Sequence, residues 1–266
     1  MQTNRKNEKM MKKNIFFNNI YRKIFKNDLK NQKNVLENLC AKNTQNNFYM
    51  IKGSNNHIIV IKEGTEFELT DKIQGLDIYI NGNNNTIRLE YPFNPLNSRI
   101  LIQNDNVQID IGSTSYFQNV EIDCFLGNGQ KFKMGRNTCI VEAHCILEEE
   151  GSVLIGEKCL FSSKILIRTS DGHSIISKDG KECLTETAGE IKIGNHVWIG
   201  TEVMFLKNSS VEDNCVIAAR SIVNKKFYEK NVVLAGIPAK VIKSGINWRQ
   251  ENPWMIKNNK FYNNGL

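Results

Sequence analysis

A chain of 266 residues with 40% apolar side chains and a net charge of +7 can bury a sizeable core in one large domain or two small ones. Its longest early apolar run, Ile15-Phe16-Phe17, is too short for a signal-peptide core or a membrane span, so no export signal is expected. Seven cysteines with no CxxC pair, in a chain without such a signal, point to free buried thiols and the reducing cytosol.

Residues 1–48 are polar and basic. Glu8 and Asp28 are the only acids among many Lys and Arg in the first 33 positions. Ile20, Ile24, Phe25, Leu29, Val35 and Leu36 recur loosely at helical spacing, so an N-terminal helical arm is expected. Its charge suits an anionic partner, either a polymer or the inner surface of a membrane. Aromatics are too sparsely interleaved for nucleic acid to be the expected partner.

From 49 to 170 the chain runs in short β-branched stretches separated by Asn and Gly. "IKGSNNHII" (51–59), "INGNNNTIRL" (80–89) and "IQNDNVQIDIG" (102–112) are variants of one unit: strand, corner, strand. Asn and Gly tolerate the positive φ of sharp corners. Val153 and Ile155, Cys159 and Phe161, then Ile165 and Ile167 settle into an in–out–in rhythm. The next strand, due at 171–173, arrives instead at Ile191–Ile193, so residues 171–190 read as a loop extruded from one corner.

The rhythm then becomes strict. Ile193, Ile199, Phe205, Val211, Ile217 and Val223 fall every six positions, preceded by two by Ile191, Val197, Val203, Ser209, Cys215 and Ser221. Alternate side chains of a strand share a face, so each pair points inward. An amphipathic helix would repeat near 3.6. Residues 49–242 are therefore expected to form a mainly β, parallel β-helix, about ten coils stacked at roughly 4.8 Å into a prism about 45–50 Å long. Residues 243–266, with Trp248, Trp254 and Tyr262, read as a terminal cap.

"IKIGNHVWIG", "VEDNCVIAARSIV" and "AGIPAKVI" (235–242) resemble the closing coils of hexapeptide-repeat acyltransferases. With "LIRTSDGHSI" (166–175) and the "GNNNTI" unit, the likeness narrows to bacterial capsule and lipooligosaccharide O-acetyltransferases, including the sialic-acid-polymer type. It covers about residues 50–248. The resemblance implies a left-handed β-helix, a homotrimer, acetyl-CoA as donor, a glycan acceptor and no metal. In "IAARS", Ala219 stands where the family has glycine.

O-acetyl transfer needs a base for the hydroxyl proton, and a histidine with a pKa of about 6.5 serves at neutral pH. His173 is the first candidate, because it lies where the chain leaves the rigid scaffold and because "SDGHSI" matches the family segment with the catalytic histidine. Asp171 could orient it, as could a backbone carbonyl. Trp198 lies between inward Val197 and Ile199 and must point outward, beside Val216 one coil later, as an apolar ledge at the catalytic corner. It could stack on the acceptor, hold the donor through its indole N–H, or meet another subunit. Outward Met204 and Ile222 form a second ladder suited to a subunit interface. Arg168 could take an acidic sugar's carboxylate, and His144 and His196 are further acceptor candidates. His57 reads as structural.

For the donor, Gly200, Ala218 and Ala219 allow close backbone approach, and Arg220, Lys225, Lys226 and Lys240 offer cations for phosphate. The resemblance adds Pro238 in "GIPAKVI". N-acetylation of an amino-sugar nucleotide is the alternative acceptor chemistry. A purely structural solenoid fits less well, for want of flat threonine ladders, and a zinc hydratase would need three converging histidines that the spacing does not supply.

Overall fold

The computed structural model describes residues 48–258. The helical arm expected over residues 1–48 lies outside them but for Phe48, as does the end of the tail.

Inward apolar side chains at alternate positions make each short strand one side of a triangular coil. One coil runs Ala143–Glu148 on a first face, Ser152–Ile155 on a second and Leu160–Phe161 on a third. Each face carries eight strands, paired in parallel with the coils above and below. Two strands are antiparallel, Thr65–Glu68 on the second face and Ala239–Ser244 on the third. The inward residues of the six strict hexads are all buried, from Ile191 to Val223.

Coil length differs along the chain. Ile193 pairs with Val211 and Ile199 with Ile217, 18 positions on. Upstream, Ile78 pairs with Ile100 and Ile87 with Ile109, 22 positions on, because the strands there are longer. The same stretch of chain therefore makes fewer coils than the ten expected. Eight strands on the first face span seven steps, about 34 Å.

Val153 pairs with Ile191, 38 positions on where a regular coil takes 18. The surplus falls within the segment 169–189, which leaves the first face after Arg168 and joins the second at Glu190. Its outer part folds back on itself through an antiparallel bridge between Ile176 and Cys183.

The abundance of asparagine has a local cause. Among the described residues, nine of the seventeen non-glycine positions with positive φ are Asn. Asn tolerates this backbone better than most residues, and its amide can bond to the next corner. Asn55 Nδ2 donates to Asn84 Oδ1 at 3.1 Å, and Asn84 Nδ2 to Asn106 Oδ1 at 3.4 Å, a stacked ladder along one edge.

The solenoid unit extends through Trp248. Residues from Arg249 fall in a separate unit, whose described part holds a short helix, Pro253–Lys257, capped by the Asn252 side chain.

The thiols follow the core. Cys124, Cys139, Cys145, Cys159 and Cys215 are buried and Cys183 is exposed on the loop. Burial pushes the Cys139 thiol up to about 11 and those of Cys145 and Cys159 to about 12. Since the thiolate is the reactive form, iodoacetamide at pH 8 should alkylate Cys183 and leave these five unmodified until the chain unfolds. Peptide mass mapping reads this, and a core thiol reacting as fast as Cys183 would contradict the packing.

Candidate active site

The four histidines lie in different surroundings. His57 pairs with Glu68, Nδ1 to Oε1 at 3.4 Å. His144 Nε2 lies 2.9 Å from Asp123 Oδ2. His196 sits at a corner between the second and third faces with φ +53, its Nδ1 3.0 Å from Asn214 Oδ1. The Trp248 ring stacks on it at 4.2 Å, and Trp248 Nε1 donates to the His196 carbonyl at 2.8 Å. His196, expected beside the acceptor, is thus a corner residue covered by the tail. His173 is exposed on the loop, and its ring has no hydrogen bond or ion pair among the described residues.

No hydrogen bond or ion pair joins Asp171 to His173 among the described residues. Its carboxylate pairs with Lys207 Nζ at 2.7 Å. Arg168 is likewise engaged. Its Nε and Nη2 donate to the two carboxylate oxygens of Glu148 at 3.1 and 3.2 Å, and the Glu148 side chain is only 3% exposed. Because a buried carboxylate is costly without a counter-charge, this pairing accounts for Arg168 without an acceptor sugar. Neither partner was legible in the chain, because each lies twenty or more positions away.

His144 belongs to a charged cluster on the first face. Arg99 Nη2 lies 2.8 Å from Glu121 Oε2 and 2.9 Å from Asp123 Oδ2. Burial raises the Asp123 carboxyl, but His144 and Arg99 outweigh it and hold the group below its ordinary value. Glu121, Asp123 and His144 bring ligand atoms within 4.8 Å of one another, a spacing a cation could use. Arg99 already sits on both carboxylates, which explains the cluster as an ion-pair network.

Trp198 points outward as its register requires. It is 40% exposed and flanked by Leu160 and Val216 on adjacent coils. Trp248 lies at its edge, ring centroids 6.1 Å apart. The ledge is on the third face, however, and not at the loop's corner. The loop leaves the edge between the first and second faces, which is the edge opposite the third face. Strand order decides this, and the hexad count alone does not give it. Met204 and Ile222 pair on the first face as expected, continuing a column from Leu166.

The expected donor residues divide between two corners. Gly200, Ala218, Ala219 and Arg220 lie where the third face turns into the first. A Cβ on Gly200 would meet the Ala219 backbone nitrogen at 2.6 Å, so its smallness serves coil stacking. Arg220, with φ +61, donates from Nε to Glu202 Oε2 at 2.7 Å. Lys225 and Lys226 follow the last strand of the first face, and Lys226 bridges Ser210 of the second. Pro238 and Lys240 lie exposed at the hairpin that ends the third face. Lys225, Lys226 and Lys240 make no ion pair among the described residues, and the Lys225 ammonium lies over the Phe227 ring, 5.2 Å from its centroid.

Residues 190–225 match the family described as Bacterial transferase hexapeptide (six repeats). Over 200 residues the chain is 28% identical to a polysialic acid O-acetyltransferase from Neisseria meningitidis, covering 75% of this chain and 88% of that one. A polysialic acid O-acetyltransferase from Escherichia coli O1:K1 / APEC is 30% identical over 139 residues, 52% of this chain and 45% of the relative. The crystal structure of the polySia specific acetyltransferase NeuO is similar with a TM-score of 0.63 at 26% identity, over 79% of this chain and 92% of that one.

Proposed function

We propose, for a chain that is an acyltransferase of the hexapeptide-repeat type, that it moves an acetyl group from acetyl-CoA to a hydroxyl of a bacterial surface-polysaccharide sugar. The relatives' acceptor makes a sialic acid polymer the first candidate. The solenoid is read as left-handed and the working form as a homotrimer. One observation carries the reading: a long loop interrupts the coil after Arg168, and that loop presents the one histidine of the four whose ring is unengaged among the described residues.

The donor supplies a thioester carbonyl. His173 takes the proton from the acceptor hydroxyl as its oxygen attacks, and returns it to the departing thiol. Lys240 and the exposed Lys225 and Lys226 are the cations offered to the donor's phosphates. Trp198 supplies an aromatic surface and an indole N–H.

His173 and Trp198 lie on opposite sides of one prism, so a site containing both is closed between copies, with the loop of one reaching the third face of the next. The exposed apolar residues fit this. Ile175, Ile176 and Leu184 on the loop, and Trp198 and Met204 on the faces, are each more than a third exposed in a single copy. No helix among the described residues is long and apolar enough to cross a membrane, and the basic N-terminal segment is the part that would meet an anionic surface.

Thiol release from acetyl-CoA, measured against acidic glycans, neutral glycans and amino-sugar nucleotides, tests the acceptor. Release with an amino-sugar nucleotide alone would replace O- by N-acetylation. Co-expression of His173→Ala with Trp198→Ala tests the shared site. Each variant alone should be weak and the mixture should recover activity. A mixture no better than its parts would place both residues in one copy.

A further inference from the structure

The loop's two ends are fastened at one point. Leu206 pairs with Arg168, so the next coil turns the corner through Lys207, Asn208 and Ser209 directly against the neck of the loop. Lys207 Nζ lies 2.7 Å from Asp171 Oδ2 on the outgoing end and donates to the Glu186 carbonyl at 2.9 Å on the returning end. Its side chain is 16% exposed. Asn208 Nδ2 donates to Glu186 Oε2 at 3.2 Å. Across the neck, the preceding corner supplies Glu148 to Arg168, and Glu149 accepts from the Ala188 amide.

We propose that Lys207 is a positioning residue: one ammonium ties together the two ends of the loop and so fixes where His173, two residues beyond Asp171, is carried. The inference rests on the reading of His173 as the base. Three facts support a clamp over an incidental surface pair. The ammonium bridges residues 15 positions apart, it is largely shielded from water, and it belongs to the scaffold rather than the loop. Without it, the outgoing end at Asp171 loses its tie to the next coil, while the returning end keeps the bond from Asn208 to Glu186. Asp171 is half exposed and can be solvated when its partner is gone, so the solenoid should still fold.

The test is Lys207→Met, with Lys207→Arg as the conservative variant, in wild-type and His173→Ala backgrounds. A displacement of about 1 Å at a reacting group can cost on the order of 10²-fold. Lys207→Met should therefore lower kcat by roughly 10- to 100-fold and leave the KM for acetyl-CoA unchanged, and Lys207→Arg should recover part of the loss. Hydrogen exchange should quicken at the amides of 171–188 and stay unchanged in the hexads. In the His173→Ala background Lys207→Met should cost nothing more. A kcat within twofold of wild type, an equal further loss on top of His173→Ala, or unchanged loop exchange would each overturn the clamp. If His173→Ala itself turns over normally, the reading of the base fails, while the exchange rates still decide whether Lys207 holds the loop.

Discussion

His173→Ala should lower thiol release from acetyl-CoA by about 10²–10⁴-fold, the usual worth of a positioned general base, with the thermal midpoint unchanged. The expectation follows from the surroundings of the ring. It is exposed and makes no hydrogen bond or ion pair among the described residues, so its removal breaks no contact that holds the fold. His144→Ala makes the contrasting control. It removes a partner of Asp123, whose side chain is only 9% exposed, so it should reduce stability more than turnover. Steady-state kinetics beside thermal melts separate the two. Near-wild-type turnover by His173→Ala would refute the proposed base and return the choice to the other histidines.

Gly156→Ala should be the opposite kind of variant, one that costs stability. Coils stack so closely at the edge between the second and third faces that a Cβ there meets the neighbouring backbone. On Gly156 it would lie 2.5 Å from the Gly194 carbonyl oxygen and 2.6 Å from Asn195 Oδ1. Gly135 meets Gly156 in the same way at 2.7 Å, and Gly112 meets Gly135 at 2.8 Å. Four glycines thus form a column, each following an inward residue: Ile111, Met134, Ile155 and Ile193. The nearest obstacle is the Gly194 backbone held in a ladder, so moving the Asn195 side chain gives no relief unless the coils part. A loss of about 3 kcal/mol or more is expected, at the upper end of overpacking costs. It would be read as a lower urea midpoint at unchanged m. A midpoint equal to wild type would show that the coils are not stacked as described.

The glycine column was visible in the chain as a residue type at a recurring place, but its meaning was not. Periodicity gives which side chains point inward, because alternation is local. It gives nothing about what lies one coil away. The same distinction separates the site residues. The outward direction of Trp198 and the extruded loop that carries His173 were legible because one is marked by its register position and the other by a missing strand. The engagement of Arg168 by Glu148 and of Asp171 by Lys207 was not, and neither was the cover of Trp248 over His196. Nothing in the sequence sets Lys207 apart from the other polar corner residues. Only an alignment of its hexad with the neck of the loop, 38 residues per coil at that point, would have singled it out.

By itself, then, the sequence determined a β-helix with inward pairs every six residues, an interruption after Arg168 and the direction of Trp198. Each of these depends on neighbours within a few positions. The tertiary structure decided the number of coils, the partners of the charges and the face on which each candidate lies. Parallel stacking joins residues 18 to 38 positions apart, and a coil a few residues longer or shorter changes every such pairing. That stacking places the loop and Trp198 on opposite sides of a single prism and leaves the ring of His173 unengaged among the described residues.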